Sequence, residues 1–314
     1  MLTREEILSE FTKCVIDPMY PIESYLETFD KTQEGFVPFK LFRKQREIIQ
    51  AYIDNRFNMV TKPRQAGVST TTAAYGAILV AFASAKNPEA ILILANKQDM
   101  AFEFLDKIKN FLKQLPRWVW GPGYYETEEN RAKTIFIKDS QKEIRLPNGS
   151  RVKAVATSKD ALRGYTPTWL IMDEAAFIEN GAIVFSTALT ALGTGGRAAL
   201  VSTPNGMDAL YYKTYEQSKS GDNDFYIVEM KWYQDPRYNK DLTWTHEDDE
   251  DDIVTNQVMV TIQSFPATPA PIPAYTEVFT EDDSDVPTVK YEVDQGVNTD
   301  LEKDVYETKY PTKE

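Results

Sequence analysis

The feature that most constrains the fold of this chain is a series of short apolar strands separated by helix-length segments. The run Ala90–Ala95 is apolar at every position, which is typical of a strand buried on both faces of a parallel sheet. Strands that alternate with helices predict a mostly parallel sheet with helices on both faces and functional side chains at the carboxyl edge of that sheet. We predict further strands at 57–61, 169–173, 198–202 and 225–230, and helices at 69–82 and 97–112.

Two further patterns extend this prediction. Segments 2–14 and 39–52 have apolar residues at helical spacing, so we expect a helical N-terminal part with a proline-containing connection. Residues 142–154 predict a β-hairpin that turns at Asn148 and Gly149, because this pair tolerates a positive φ.

The net charge of −13 is concentrated at one end of the chain. Residues 247–314 contain 18 acidic side chains and 4 lysines, which leaves 31 basic and 30 acidic residues elsewhere. With the proline-rich segment 266–273, this composition predicts an acidic tail, 241–314, that is extended or disordered. A nearly neutral body can still carry a basic surface, so the low isoelectric point does not exclude nucleic acid as a partner.

Other compositional features exclude some classes of protein. Cys14 is the one cysteine and His246 the one histidine, so we expect neither an internal disulfide nor a histidine metal cluster. No apolar run of about 18 residues is present, so we expect no transmembrane helix.

The segment between the first predicted strand and its helix has the composition of a phosphate-binding loop. Gly67, Ser69 and Thr70 match the closing half of the motif GxxxxGK[ST], in which backbone N–H groups and a helix N-terminus hold phosphate. Val68 stands where that motif has its lysine, and Lys62 could reach the same phosphates from the start of the loop. By itself, Gly-x-Ser-Thr also fits an ordinary helix cap. The full segment is Lys62-Pro63-Arg64-Gln65-Ala66-Gly67-Val68-Ser69-Thr70.

Two carboxylates end the apolar strand 169–173. Because buried carboxylates need a partner or a metal, we predict that Asp173 holds Mg²⁺ together with the hydroxyl of Ser69. Glu174 would then orient or deprotonate the attacking water. The alternative is a helix that begins with two acids, whose charges suit the helix dipole.

Polar residues elsewhere complete the candidate site. Ser202 ends the strand 198–202 and is followed by Thr203 and Asn205; these residues could sense the γ-phosphate, although Pro-Asn-Gly also makes a plain turn. Gln45 lies before the loop in a segment that resembles a Q-motif, where a glutamine reads the adenine edge. An exposed helical glutamine is the alternative interpretation.

The loop closely resembles the K-x-R-Q-x-G-x-[ST]-T loop of the large terminase subunits of tailed bacteriophages. The Asp-Glu-Ala-Ala run at 173–176 and the coupling segment after strand 198–202 follow in the order of that family, over roughly residues 35–240. The resemblance implies a RecA-like P-loop NTPase domain of the ASCE group at 36–240, preceded by a helical segment at 1–35. It implies ATP binding by Gln45 and 62–70, including Gln65 and Ala66, and catalysis by Glu174. Arg64, with Arg163 as a second candidate, would stabilise the developing charge.

The resemblance also implies a biological role. The chain would be an ATP-hydrolysing motor subunit that translocates double-stranded DNA into procapsids, acting with the portal protein and the small terminase subunit. We would expect a homo-oligomeric ring in the host cytoplasm, transiently at the portal vertex. Large terminase subunits continue into a nuclease with clustered acids; residues 241–314 lack that pattern, so no nuclease activity is expected. An inactive or truncated nucleotide-binding fragment and a superfamily 2-like translocase remain alternatives.

Overall fold

The computed structural model describes residues 2–30, 34–124, 126–156, 165–192 and 195–237, and three short strands further along the chain. The chain divides into two compact units, Met1–Asp235 and Pro236–Glu314. The α-helices described are α1 (Arg4–Ile16), α2 (Met19–Tyr25), α3 (Arg43–Asp54), α4 (Val68–Phe82), α5 (Gln98–Gln114), α6 (Glu128–Ala132), α7 (Gly181–Ala191) and α8 (Tyr211–Ser220). The strands of the first unit are β1 (Glu27–Asp30), β2 (Gly35–Pro38), β3 (Phe57–Thr61), β4 (Ala90–Ala95), β5 (Lys138–Asp139), β6 (Glu143–Arg145), β7 (Arg151–Ala156), β8 (Trp169–Asp173), β9 (Arg197–Ser202) and β10 (Phe225–Glu229).

The first unit is built around an eight-stranded sheet with the order β10-β3-β9-β8-β4-β7-β6-β5. The strands from β10 to β7 are parallel, and β6 and β5 continue the sheet in antiparallel fashion. The predicted α/β fold with a mostly parallel sheet is confirmed. The predicted hairpin is also confirmed as β6–β7, with Gly149 at a φ of 86°.

Helices cover both faces of this sheet and divide the core in two. On β4, Ile91 and Ile93 face the core shared with α3, α4 and α5, whereas Leu92 and Leu94 face the core shared with α7 and α8. Each apolar residue of β4 therefore has a packing partner on its own side. This explains why the strand is apolar throughout and does not alternate.

The N-terminal part differs from the prediction in two ways. The connection between the predicted helices contains α2 and the antiparallel hairpin β1–β2. Helix α3 begins at Arg43, not at residue 39, because the preceding segment is extended. There the Phe39 N–H donates to the Leu26 carbonyl at 2.8 Å, and Phe39 and Leu41 bury their side chains in the core.

The second unit contains three short strands, β11 (Leu242–Trp244), β12 (Met259–Ile262) and β13 (Lys290–Glu292). β12 pairs with β11 in antiparallel and with β13 in parallel orientation. The rest of 241–314 lies outside the described residues, as do His246 and Arg163, so the extended or disordered tail stays a prediction. Among the described helices, none has both the length and the apolar character that a membrane span requires.

Candidate nucleotide-binding site

Three adjacent strands deliver the predicted site residues to one edge of the sheet. β3, β9 and β8 lie side by side, so Thr61 stands beside Ser202, and Asp173 stands beside Val201. The Lys62 N–H donates to the Ser202 carbonyl at 3.0 Å and extends the pairing by one residue. Neighbouring strand ends therefore carry the loop that follows β3, the acid pair that begins with the last residue of β8, and the polar segment that begins with the last residue of β9.

The loop between β3 and α4 turns through two residues with positive φ. Gln65 has a φ of 60° and Gly67 a φ of 72°, and Gly67 caps the N-terminus of α4. Ala66 and Val68 are each 1% exposed and belong to the core. Val68 is therefore directed inward, and a lysine at its position would first have to leave the core. The first amides of α4 have no intrahelical acceptor, as at any helix N-terminus, and suit an anion.

The hydroxyl of Ser69, in the first turn of α4, donates to Oδ1 of Asp173 at 2.9 Å. Asp173 is 7% exposed. Burial raises the pKa of Asp173 above its ordinary value, although the charge of Lys62 and the Ser69 hydrogen bond act in the opposite direction. A buried carboxylate with a raised pKa favours a nearby cation, because the cation would stabilise its ionised form.

Lys62 and Glu174 form an ion pair, with Nζ of the lysine 2.7 Å from Oε1 of the glutamate. The lysine side chain is 6% exposed and the glutamate 22%. Glu174 also occupies the left-handed backbone region at φ 51°, ψ 47°, which costs a non-glycine residue about 1–2 kcal/mol. The displaced lysine and the predicted catalytic acid are thus in direct contact.

The segment after β9 contacts the same glutamate. The hydroxyl of Ser202 and the N–H of Thr203 each lie 3.5 Å from Oε2 of Glu174. The Ser202 hydroxyl donates to the Thr203 carbonyl at 2.8 Å and accepts from the Ala176 N–H at 3.2 Å. Asn205 donates to the Ala176 carbonyl at 3.2 Å. The predicted coupling residues are therefore bonded to the turn that carries the acid.

Three other predicted residues lie on α3, on the loop and on α4. Gln45 is 5% exposed in the first turn of α3, and its Oε1 accepts the Phe42 N–H at 3.3 Å. Its side-chain oxygen thus caps its own helix. Arg64 is exposed on the loop, and Thr70 is half-buried on α4.

Tyr211, at the start of α8, contributes to the site and was not predicted from the sequence. Its hydroxyl donates to the Val60 carbonyl at 2.9 Å, and it lies 3.0 Å from Oγ1 of Thr61 and 3.5 Å from the Ser202 carbonyl. The hydroxyl thus joins the ends of β3 and β9. No pattern in the sequence distinguishes Tyr211 from the adjacent Tyr212.

The parallel sheet, the glycine-containing loop between β3 and α4 and the acid pair after β8 define a P-loop NTPase. The family described as "Terminase large subunit, T4likevirus-type, N-terminal" matches residues 59–263, and this chain belongs to that family. The resemblance to large terminase subunits noted in the sequence is thereby confirmed.

Two curated proteins are similar in sequence. The Mu-like prophage FluMu protein gp28 of Haemophilus influenzae is 25% identical over 178 residues, which cover 55% of this chain and 33% of that protein. The probable terminase, large subunit gp28, of Escherichia phage Mu is 22% identical over 179 residues, or 55% of this chain and 31% of that protein. The matched part of the chain thus spans about a third of the length of these relatives.

One solved structure with a similar fold is the large terminase ATPase domain of Thermus phage P74-26. It has a TM-score of 0.48 at 17% sequence identity, over 64% of this chain and 85% of that one.

Proposed function

We propose that this chain binds ATP and Mg²⁺ and hydrolyses ATP as the ATPase part of a motor that translocates double-stranded viral DNA into procapsids. The observation that carries the proposal is the convergence of two contacts, Lys62 with Glu174 and Ser69 with Asp173. Their distances are 2.7 and 2.9 Å, although the partners are separated by 112 and 104 residues in the chain. Phosphoryl transfer needs these groups together: a cation on the phosphates, oxygen ligands for a metal and an acid beside the water.

The oxygen donors at the edge of the sheet fit Mg²⁺, which prefers carboxylate, hydroxyl and phosphate oxygens. Asp173, directly or through water, and Ser69 would hold the ion. When bound, Mg²⁺ would neutralise charge on the phosphate oxygens. The raised pKa of Asp173 supports this assignment, because burial disfavours the ionised carboxylate and a bound cation would stabilise it.

Lys62 would exchange partners during the cycle. Without nucleotide, its ammonium bonds to Glu174. When a triphosphate occupies the loop, the lysine would move its charge to the phosphates and leave Glu174 free to orient or deprotonate the attacking water. The ion pair would therefore keep the general base occupied until the substrate arrives.

The release of the γ-phosphate would be transmitted through the segment after β9. Ser202 and Thr203 are within 3.5 Å of Glu174, and Asn205 bonds to the same turn, so a movement of Glu174 would change their contacts. Arg64, exposed on the loop, would contribute positive charge in the transition state. Gln45 would read the adenine edge through the amide nitrogen, because its oxygen is bonded to Phe42.

The remaining partners follow from the family. We propose that the subunits assemble as a homo-oligomeric ring in the host cytoplasm and act with the portal protein and the small terminase subunit at the portal vertex.

Steady-state ATP hydrolysis with and without duplex DNA tests the proposed activity. Wild-type protein should hydrolyse ATP in a Mg²⁺-dependent manner, whereas Glu174→Gln should bind ATP and lose turnover by about 10²–10⁴-fold, the usual contribution of a general base. Glu179→Gln is the matched control, because Glu179 is an exposed acid on the same segment, and it should retain turnover. Unchanged turnover in Glu174→Gln would remove the catalytic assignment.

A further inference from the structure

The last three strands of the sheet present an uninterrupted row of positive charge. Lys138, Arg145 and Arg151 stand directly opposite one another on β5, β6 and β7. Lys153 follows on the same side of β7, opposite Glu143 on β6. We call Lys138, Arg145, Arg151 and Lys153 the basic face.

Core packing does not account for this arrangement. The opposite side of these strands carries Ile144 and Val152, which are fully buried in the core that contains α5. On the side of the basic face, the described helices α7 and α8 pack over the other end of the sheet. The side chains of Lys138 and Arg145 are 46% and 52% exposed. Among the residues that the structure describes, the basic face is thus open at Lys138 and Arg145 and half-buried at Arg151 and Lys153.

The charges of this surface are only partly compensated. Like charges directly opposite each other in a sheet destabilise it, yet the basic face has four cations and, at the described strand positions of the same side, one acid, Glu143. Glu143 bonds both to Lys138 and to Arg145. Burial alone would raise the pKa of Glu143, but these two hydrogen bonds hold it below its ordinary value. At the described strand positions, an excess of about three positive charges remains.

An aromatic ring fixes two of the cations in place. The Arg151 guanidinium lies 4.3 Å from the centre of the Tyr165 ring, and Nζ of Lys153 lies 5.4 Å from it. Tyr165 is 5% exposed, and its hydroxyl donates to the Ile91 carbonyl at 3.0 Å, so the ring is held by the core. Cation–π contacts of this kind keep the charges ordered before a ligand binds.

We propose that the basic face binds the sugar-phosphate backbone of double-stranded DNA; this partner rests on the proposed function. Neighbouring strands lie about 4.8 Å apart, so the row of three cations spans about 10 Å. Each strand of duplex DNA carries one phosphate per ~3.4 Å of helix axis, so this span matches about three phosphates of one strand. A rigid surface with two arginines suits bidentate phosphate contacts that are independent of base sequence, which is what a translocating protein requires.

Binding of the full chain to a fluorescent duplex, measured by anisotropy over a range of salt concentrations, tests the proposal. Lys138→Gln, Arg145→Gln and Arg151→Gln should each weaken binding several-fold and reduce the slope of log K against log salt by about one, the expected effect of one lost phosphate contact. Lys113→Gln is the matched control, because Lys113 is exposed on α5, on the opposite face of the sheet. A second duplex of unrelated sequence should give the same result.

Melting temperature and basal ATP hydrolysis without DNA are measured for each variant and should match the wild type. If the triple variant Lys138→Gln/Arg145→Gln/Arg151→Gln keeps the wild-type salt slope and still hydrolyses ATP, the DNA surface is wrong and the ATPase proposal stands. If neither the wild type nor any variant hydrolyses ATP, but the triple variant loses duplex binding, the DNA-binding surface is supported and the proposed ATPase function fails. If polyglutamate displaces the duplex at equal charge concentration, the partner is an acidic polypeptide and the DNA assignment is overturned.

Discussion

Two lysine–glutamate pairs in this protein have the same chemistry and different surroundings. The lysines differ in exposure, 6% for Lys62 against 46% for Lys138, whereas the glutamates are both largely buried, at 22% for Glu174 and 13% for Glu143. Charges in a poorly solvated site interact strongly, and removal of one partner leaves the other without compensation. On the open sheet, water and salt screen the interaction. The pair with the buried lysine can therefore control the position of a catalytic group, whereas the pair with the exposed lysine mainly changes the net charge of a surface.

The largest effect is expected when a lysine replaces Val68, the position at which the standard loop motif has its lysine. Val68→Lys would put a charge at a position that is 1% exposed and packed in the core. We expect the free energy of unfolding to fall by about 3 kcal/mol, because the charge has no partner there. Urea unfolding measures the change. Ile53→Lys is the control, since Ile53 is 41% exposed on α3, and it should change stability by less than about 0.5 kcal/mol. Equal effects of the two substitutions would show that the site is more solvated than the structure indicates.

A double-mutant cycle on each pair makes the comparison quantitative. For Lys62→Met and Glu174→Gln, we expect a coupling free energy of about 2 kcal/mol that changes little with salt. For Lys138→Met and Glu143→Gln, we expect less than about 0.5 kcal/mol, and less again at high salt. Denaturant unfolding without nucleotide, at low and high ionic strength, gives both values. Coupling of similar size in the two pairs would remove the distinction on which the proposed exchange of Lys62 depends.

A third lysine–glutamate pair tests what hydrogen bonds add at the surface. Glu10 on α1 bonds to Lys13 at 2.6 Å and accepts from the hydroxyls of Tyr25 and Tyr20 at 2.7 and 2.8 Å. The bond from Lys13, followed by those from the two tyrosines, lowers the pKa of Glu10 from 4.5 to about 2.

Because the folded pKa of Glu10 is depressed, its contribution to stability is complete above about pH 4.5 and is lost as the pH falls towards 2. The stability difference between wild type and Glu10→Gln should therefore shrink across this interval, and the effect should be the smallest of the three, because Lys13 is 52% exposed and solvent screens the pair. Thermal unfolding at several pH values measures it. Glu5→Gln, also on α1, provides the control. A stability difference that is independent of pH would mean that the bonds from Lys13, Tyr20 and Tyr25 do not lower the pKa of Glu10 in solution.

Much of the sheet could be predicted from the sequence, for a physical reason. The bounds of β3, β4 and β8 agree with the prediction. β4 is apolar throughout and β8 is apolar up to Asp173, as expected of strands buried on both faces, whereas β3 also contains Asn58 and is followed by the polar loop. Helix α7 has no charged residue and no polar stripe that would mark a helical period, so its pattern gave no signal. The hairpin β1–β2 exposes Phe29 and Phe36 and lacks the apolar alternation of a buried strand.

The site was predictable as a set of residues but not as a set of contacts. Gly67, with its positive φ, could be identified because the loop motif requires that conformation. The bond between Lys62 and Glu174 joins residues 112 positions apart, and only the order of strands in the sheet determines that they meet. The role of Tyr211 depends on the same order, because its hydroxyl lies between the ends of β3 and β9.

The most direct test of the central claim is the affinity for Mg²⁺-ATP, measured by calorimetry on wild type, Lys62→Met and the double variant Lys62→Met/Val68→Lys. Lys213→Met, which changes an exposed lysine on α8, serves as the control. We predict that Lys62→Met loses at least about tenfold in affinity, equivalent to about 1.4 kcal/mol, and that a lysine at position 68 does not restore it. Wild-type affinity in Lys62→Met, or recovery through the lysine at position 68, would contradict the assignment of Lys62 as the phosphate-binding cation.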